Sequence, residues 1–285
     1  MMKEIFEVAG GSIVGTRHVK TGKNNQDAFI WRQTDDFTIA VVADGCGSGK
    51  FSEVGSRIGI QFFLDRFMEA VKCGNSIKLS LELSRQLILK DLKSLIWEIT
   101  RQTETIKEYF LFTLVGAVVM PDYSATFHIG DGVICENEKV IEIGPFTNNQ
   151  PPYIAYGLFE QVMSGFSLND LRFSVHSVIR TADVQSILIG TDGIADLIRA
   201  ENEKIPGREE LAGPLNRFWK DDLYFRNPDA VRRRLTIINR QSTKIDWEKR
   251  EVEKEEGLLP DDTTLIAIRR KKTGGEKDGY IFERE

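Results

Sequence analysis

Aspartates at the ends of apolar runs are the residues of this chain whose types and spacing could do chemistry. Four such segments occur: Val41-Val42-Ala43-Asp44-Gly45, Phe127-His128-Ile129-Gly130-Asp131-Gly132, Leu188-Ile189-Gly190-Thr191-Asp192-Gly193, and Asp261-Asp262 before Thr263-Thr264-Leu265. One Asp-Gly pair is typical of a turn, and a single such aspartate is more often a turn residue than a ligand. Four together indicate clustered carboxylates, which suit hard divalent cations such as Mg²⁺ or Mn²⁺.

The glycine that follows three of these aspartates adds a second kind of ligand. Because glycine lets the backbone approach closely, the carbonyl of Gly45 can itself bind an ion. The pattern therefore predicts a carboxylate-bound metal site that can hold two ions. Activation of a water molecule for attack on a phosphoryl group is the commonest chemistry of such a pair.

Apolar patterns predict the elements that position these residues. The run Phe37-Thr38-Ile39-Ala40-Val41-Val42-Ala43 is typical of a buried strand that ends at Asp44. Apolar residues at three- and four-residue steps predict long helices over about 52–71 and 77–100. Further strands are predicted at 110–120, 125–129, 133–135, 140–143, 172–178, 186–189 and 263–268, and a further helix at 229–241.

Short links join the four strands predicted between residues 110 and 143. Because a parallel crossover needs a dozen or more residues, these neighbours are expected to pair antiparallel as one meander. The stretch from about 144 to 171 is rich in Asn, Pro, Gly and aromatic residues, which predicts an irregular surface segment. One domain over 1–285 is expected. It ends in a charged tail from about 271, in which Tyr280-Ile281-Phe282 can add an edge strand.

Composition excludes several classes of protein. The 285 residues carry 38 Lys and Arg against 43 Asp and Glu, a formal charge of −5, which argues against nucleic-acid binding through bulk positive charge. No stretch approaches the roughly 18 uninterrupted apolar residues of a membrane span, and the N-terminus lacks a signal pattern. Three scattered cysteines fit neither a disulfide framework nor a CxxC metal site. The expectation is a cytoplasmic protein with neither a membrane nor a nucleic-acid partner.

Five ordered motifs carry a family resemblance. They are Asn25-Gln26-Asp27-Ala28, Val42-Ala43-Asp44-Gly45-Cys46-Gly47-Ser48-Gly49, Ile129-Gly130-Asp131, Gly190-Thr191-Asp192-Gly193-Ile194-Ala195-Asp196 and Pro260-Asp261-Asp262-Thr263-Thr264. Each motif alone is weak, but in this order and spacing they resemble the PP2C (PPM) family of metal-dependent serine/threonine protein phosphatases. The resemblance covers about residues 10 to 270. It is strongest to bacterial members that carry an early Gly-x-x-His segment, here Gly15-Thr16-Arg17-His18.

The resemblance implies an α+β fold, an α-β-β-α sandwich of two antiparallel sheets flanked by helices, with a binuclear Mg²⁺ or Mn²⁺ centre at one edge. By position, Asp44 would bridge both ions and the Gly45 carbonyl would bind one of them. Asp192 and Asp261 would hold the other ion, and Asp27 would lie in or just behind the ligand set. Asp131 and Asp196, with Asp192, match a weaker third metal position. The stretch 144–171 matches the variable flap of the family.

Several positions depart from the pattern of the family's eukaryotic members. Gln26 stands where those enzymes have Glu and offers only a neutral oxygen. Cys46 stands where they have a histidine proposed as general acid, and Gly22 replaces their phosphate-binding arginine. Three nearby residues are candidates for supplying the missing positive charge to a phosphate: Lys23, His18 and Arg17.

The predicted function is hydrolysis of phosphoserine or phosphothreonine in a protein partner, by water that the ions at Asp44 and Asp192 activate. A cognate serine/threonine kinase, or a target of that kinase, is the expected source of substrate. The departures at Gln26, Cys46 and Gly22 leave open a catalytically weakened regulatory or binding module.

Two other readings of the Asp44 loop are weaker. Residues Gly45 to Lys50 also resemble a P-loop, but Asp44 and Phe51 occupy two of its key positions. A cysteine phosphatase built on Cys46 would need an arginine six residues on, where Ser52 stands.

Overall fold

Two antiparallel sheets form the centre of the protein, which we describe from a computed structural model covering residues 1–159, 166–247 and 250–272. The strands are β1 (Phe6–Ile13), β2 (Ala28–Gln33), β3 (Thr38–Ala43), β4 (Leu114–Val119), β5 (Tyr123–Ile129), β6 (Gly132–Glu136), β7 (Lys139–Ile143), β8 (Ser174–Arg180), β9 (Ser186–Gly190), β10 (Ser242–Asp246), β11 (Glu251–Glu255) and β12 (Thr263–Arg270). The helices are α1 (Met2–Ile5), α2 (Thr16–Thr21), α3 (Ser52–Lys72), α4 (Ile77–Ile99), α5 (Glu104–Tyr109), α6 (Gly193–Arg199), α7 (Arg217–Lys220), α8 (Leu223–Arg226) and α9 (Ala230–Ile238).

The first sheet has the order β1-β12-β9-β6-β7 and the second has the order β2-β3-β4-β5-β8. Every neighbouring pair in the two sheets is antiparallel. A separate hairpin pairs β10 with β11. This architecture confirms the α+β sandwich that the sequence motifs imply.

Three apolar layers hold the sandwich together. Between the sheets, side chains such as Val42, Val115 and Ile266 are almost fully buried. On the outer face of the second sheet, Phe63 and Phe67 of α3 pack on Phe127, with ring centroids 5.6 and 5.3 Å apart. Helices α6 and α9 cover the outer face of the first sheet in the same way. Because both faces of the sheets are covered, inner strands such as β3 are apolar at almost every position.

The continuous meander predicted for residues 110–143 is wrong at its centre. β4 pairs with β5 and β6 pairs with β7, but β5 and β6 lie in different sheets. The chain crosses between the sheets at Gly130-Asp131-Gly132, where Gly130 and Gly132 have φ of +85° and +144°, a backbone that favours glycine. β6 then pairs with β9, far along the chain. The crossing places Asp131 at the edge between the sheets.

The prediction of an irregular surface segment over 144–171 is also wrong in part. Residues 151–156 are buried, and Ile154 and Ala155 belong to the core beneath α3 and α4. Pro151 and Tyr153 reach the cavity described below. Residues 151–156 are therefore packed into the core and form one side of the cavity. The strand predicted at Tyr280-Ile281-Phe282 lies outside the described residues.

Candidate metal centre

Four aspartates from both sheets meet at one edge of the sandwich. Asp44 follows β3, Asp131 lies at the crossing between β5 and β6, Asp192 follows β9, and Asp261 precedes β12. All four line one cavity of about 410 Å³. The structure thus brings together the four aspartates that the sequence places at strand ends.

The carboxylates of this cavity repel one another. Burial, and then the charges of Asp27, Asp192, Asp261 and Asp131, raise the pKa of Asp44 well above its ordinary value. Burial and the neighbouring carboxylates raise the pKa of Asp192 to about 7. The pKa of Asp131 rises to about 6, mainly through burial. Neither Lys nor Arg is among the described residues that line the cavity. A bound cation would offset the repulsion among these carboxylates.

Asp27 lies behind the cavity and is 3% exposed. Its Oδ2 accepts a hydrogen bond from Thr191 Oγ1 at 2.8 Å, while its buried Oδ1 has no hydrogen-bond partner among the described residues. Burial, followed by repulsion from Asp262, raises the pKa of Asp27 well above its ordinary value. A buried carboxylate oxygen without a partner is costly unless a cation satisfies it.

Gly45 lines the same cavity, and its backbone carbonyl is available as a ligand. The Thr113 N–H donates to the Asp44 carbonyl at 2.9 Å, and the Cys46 N–H donates to the Leu111 carbonyl at 2.8 Å. These two bonds flank Gly45, whose own carbonyl accepts no backbone hydrogen bond in the described part of the chain. A Cβ at this position would lie 2.8 Å from the Gln26 and Ser52 carbonyls, so the close approach requires glycine.

The donor set fits Mg²⁺ or Mn²⁺. Both ions prefer carboxylate and carbonyl oxygens, which are the groups that converge here. The partnerless oxygens of Asp27 and Gly45 and the mutual repulsion in the cavity are the observations that support this fit. The Gln26 amide adds a buried Oε1 that has no hydrogen-bond partner among the residues the structure describes, while its Nε2 donates to Ser52 Oγ at 2.6 Å.

Asp262 is a residue of this site that the sequence analysis missed. Its Oδ1 accepts the Gly15 N–H at 2.7 Å, and its Oδ2 accepts the Gln26 N–H at 2.6 Å. His18 Nδ1 lies 2.9 Å from Asp262 Oδ1. Ligand atoms of His18, Asp261 and Asp262 lie within 4.8 Å of one another, and each oxygen of Asp262 also accepts one backbone hydrogen bond. We therefore interpret Asp262 as the residue that positions the early Gly-x-x-His segment. The doubled Asp in the sequence was the available signal.

Replacing Asp262 with Ala is expected to lower the free energy of unfolding by about 3 kcal/mol, because two buried N–H groups lose a charged acceptor. Urea denaturation of the metal-free protein measures the change, with Asp36→Ala at an exposed position as the control. A loss below about 1 kcal/mol, within the range of an ordinary net hydrogen bond, would show that the two bonds do not anchor this segment.

The three candidates for phosphate binding are placed differently. His18 lines the cavity. Arg17 is exposed and is not among the described residues that line the cavity. Lys23 donates from Nζ to the Gly47 carbonyl at 2.7 Å and lies at a neighbouring surface depression. The structure therefore brings His18, but not Arg17 or Lys23, to the aspartates.

Of the remaining residues named in the sequence analysis, Cys46 reaches the cavity, whereas Asp196 and Lys50 do not. Asp196, the partner expected for Asp131 in a third metal position, contacts Arg199 at 2.5 Å and does not line the cavity. Cys46 lines the cavity, with its Sγ 3.2 Å from Ser48 Oγ. Lys50 lies over the Phe51 ring, 5.0 Å from its centroid, and does not reach the cavity.

The two-sheet sandwich and the acidic cavity at its edge define the class of this protein as a PP2C-like phosphatase fold. The chain belongs to the protein phosphatase 2C family, whose model matches residues 14–235. This match confirms the resemblance read from the five motifs. It also removes the P-loop reading, because the Asp44 loop belongs to the phosphatase pattern.

Solved structures share the fold at low sequence identity. A bacterial serine phosphatase, solved as a variant with one arginine replaced by lysine, is 14% identical with a TM-score of 0.51, and the match covers 95% of this chain and 99% of that one. A sex determining protein of C. elegans is 11% identical with a TM-score of 0.51, covering 93% of this chain and 64% of that one. PppA of Pseudomonas aeruginosa is 15% identical with a TM-score of 0.49, covering 94% and 98%. A search of curated proteins found no match.

No helix within the described residues has the length and apolar character needed to cross a membrane.

Proposed function

We propose that this chain hydrolyses phosphoserine and phosphothreonine in protein substrates, using two divalent cations held at the acidic cavity. The observation that carries the proposal is the convergence of Asp44, Asp131, Asp192 and Asp261 in one cavity without a Lys or Arg among its described lining residues. An acidic cavity repels a phosphate group, so phosphate chemistry here requires cations between the carboxylates and the substrate.

Each site residue has a proposed role. Asp44 and the Gly45 carbonyl would hold the ions together with Asp192 and Asp261, and Asp27 would support these ligands from behind. Asp131 and Asp196 are proposed for a third, weaker position, for which Asp196 would have to leave Arg199. Bound divalent ions supply charge stabilisation on the phosphate oxygens and make a coordinated water more acidic.

The chain itself shapes access to this centre. Asn149, Pro151, Tyr153 and Tyr156 line the same cavity as the aspartates. Burial raises the pKa of Tyr153 far above its ordinary range, so its hydroxyl stays neutral.

The proposed substrate is a phosphorylated protein, and the proposed source of the phosphate is a cognate serine/threonine kinase. A partner protein suits the family to which the chain belongs. We propose a cytoplasmic setting, with neither nucleic acid nor a membrane as a partner.

Hydrolysis of p-nitrophenyl phosphate and of a phosphothreonine peptide, measured with and without Mn²⁺, tests the proposal. The expected result is turnover of both substrates that needs Mn²⁺ and stops when EDTA is added. If neither substrate is hydrolysed in a Mn²⁺-dependent manner, the proposed activity is wrong.

A non-catalytic binding module is the second candidate, favoured by Cys46 in the cavity and by the neutral Gln26 beside it. A module of this kind would bind the phosphothreonine peptide in the presence of Mn²⁺ without releasing phosphate. Fluorescence anisotropy of the labelled peptide, run beside the phosphate assay, separates the two candidates.

A further inference from the structure

His18 is the imidazole of the acidic cavity, and its orientation is defined. The side chain is 15% exposed, and its buried Nδ1 lies 2.9 Å from Asp262 Oδ1. Nδ1 is therefore turned into the protein, and we infer that Nε2 is the ring nitrogen through which His18 meets the cavity.

Asp262 is the carboxylate that faces Nδ1 of this imidazole, at a geometry that does not form a well-aligned hydrogen bond. It is 2% exposed and is itself tied to the backbone by the Gly15 and Gln26 N–H groups. The segment that carries His18 is tied down as well, since the N–H groups of Thr16 and Arg17 each donate to the 259–260 backbone at 3.0 Å. Because Nδ1 faces the Asp262 carboxylate, Nε2 is the ring nitrogen left to exchange a proton with a substrate.

The aspartates and tyrosines of the cavity are poor proton donors for the departing oxygen of serine or threonine. The aspartates are the proposed ion ligands and carry negative charge when an ion is bound. Burial raises the pKa of both Tyr153 and Tyr156 above the ordinary value of tyrosine. Histidine is the side chain that most often transfers protons near neutral pH.

We propose that His18 is the general acid of the reaction, donating the Nε2 proton to the departing serine or threonine oxygen. This inference rests on the proposed phosphatase function. A water oxygen forms the new P–O bond as the bond from phosphorus to the substrate Oγ breaks. The electron pair of the broken bond stays on Oγ, which takes the proton from His18. The water proton passes to solvent, and solvent reprotonates His18.

The leaving group distinguishes this role from binding. A serine alkoxide is strongly basic and needs a proton, whereas p-nitrophenolate leaves without one. His18→Gln is therefore expected to lower kcat for a phosphoserine peptide by about 100-fold while changing kcat for p-nitrophenyl phosphate only slightly. His176→Gln, at an exposed histidine of β8, is the matched control and should leave both rates unchanged.

A second set of measurements distinguishes loss of the proton donor from misfolding of the variant. In His18→Ala, added imidazole should restore part of the phosphopeptide turnover, an effect that a structural role does not produce. Thermal unfolding with and without Mn²⁺ should show that both His18 variants fold and bind the metal.

Two results would overturn the assignment of His18. One is an equal loss of turnover on both substrates, which would indicate phosphate binding instead. The other is phosphopeptide turnover that stays at the wild-type level in His18→Gln. A wild-type protein inactive on both substrates would instead show that the proposed function itself is wrong.

Discussion

Replacing Asp44 with Asn is expected to abolish Mn²⁺-dependent turnover and, at the same time, to stabilise the metal-free protein. Turnover should fall at least about 1,000-fold, the equivalent of about 4 kcal/mol, because the proposed contact to both ions is lost. The stabilisation follows from the raised pKa of Asp44, which reflects burial and repulsion from Asp27, Asp192, Asp261 and Asp131. Each kcal/mol of repulsion removed should raise the melting temperature by about 2–4 °C.

The opposite signs of these two effects make the prediction specific. Phosphate release reports the activity, and differential scanning calorimetry in EDTA reports the stability. Asp36→Asn makes the same change at an exposed position and should alter neither quantity. An Asp44→Asn protein that keeps turnover within a few fold of wild type, or that melts lower in EDTA, would contradict this interpretation of the cavity.

The metal-free protein is expected to lose stability as the pH rises from 5 to 8. The pKa values of Asp131 and Asp192, about 6 and about 7, lie above the ordinary 3.8 of aspartate. The folded protein therefore binds more protons than the unfolded chain between about pH 4 and 7. The stability that these protons provide is full below pH 4 and is lost as the pH rises through the folded pKa values. The loss should be on the order of 3 kcal/mol.

Urea unfolding at several pH values, with EDTA or with Mn²⁺, measures this linkage. Mn²⁺ binds the ionised carboxylates, so it should stabilise the protein more strongly as the pH rises. The difference in unfolding free energy between the Mn²⁺-bound and the metal-free protein should therefore increase from pH 5 to pH 8. Asp192→Asn should flatten the profile recorded in EDTA. A metal-free stability that is constant or rises between pH 5 and 8 would show that these carboxylates are not crowded in solution.

Local patterns were sufficient to predict the long helices and the inner strands. Helix α3 (Ser52–Lys72) and α4 (Ile77–Ile99) match the predicted 52–71 and 77–100 closely, because their apolar residues recur at helical spacing over many turns. β3 and β12 were predicted from continuous apolar runs, which buried strands require. The aspartates at the ends of such strands could therefore be singled out before the fold was known.

Pairings between distant parts of the chain could not be read from the sequence. β1 carries two adjacent glycines and no clear alternation, and it becomes a strand by pairing with β12 more than 240 residues away. The hairpin of β10 and β11 is mostly charged and exposed, so it lacks the apolar signal of a strand. The contact between His18 and Asp262 depends on the same pairing of β1 with β12, because these residues lie next to the two strands in the sequence.

The short link at Asp131 does not make β5 and β6 pair with each other. A two-residue link between β5 and β6 favours a hairpin, and the sequence alone offers no reason to place the two strands in different sheets. The partner of β6 is β9, whose apolar side chains are buried with those of β12. Burial of both strands within the sandwich, a property of the whole fold, decides the pairing.

Anomalous scattering from crystals grown with Mn²⁺ tests whether the acidic cavity is a metal centre. We expect two manganese peaks in the cavity, with the Asp44 carboxylate contacting both, the Gly45 carbonyl contacting one, and Asp192 and Asp261 contacting the other. An ion found only among His18, Asp261 and Asp262, or no manganese in the cavity at saturating concentration, would contradict this expectation.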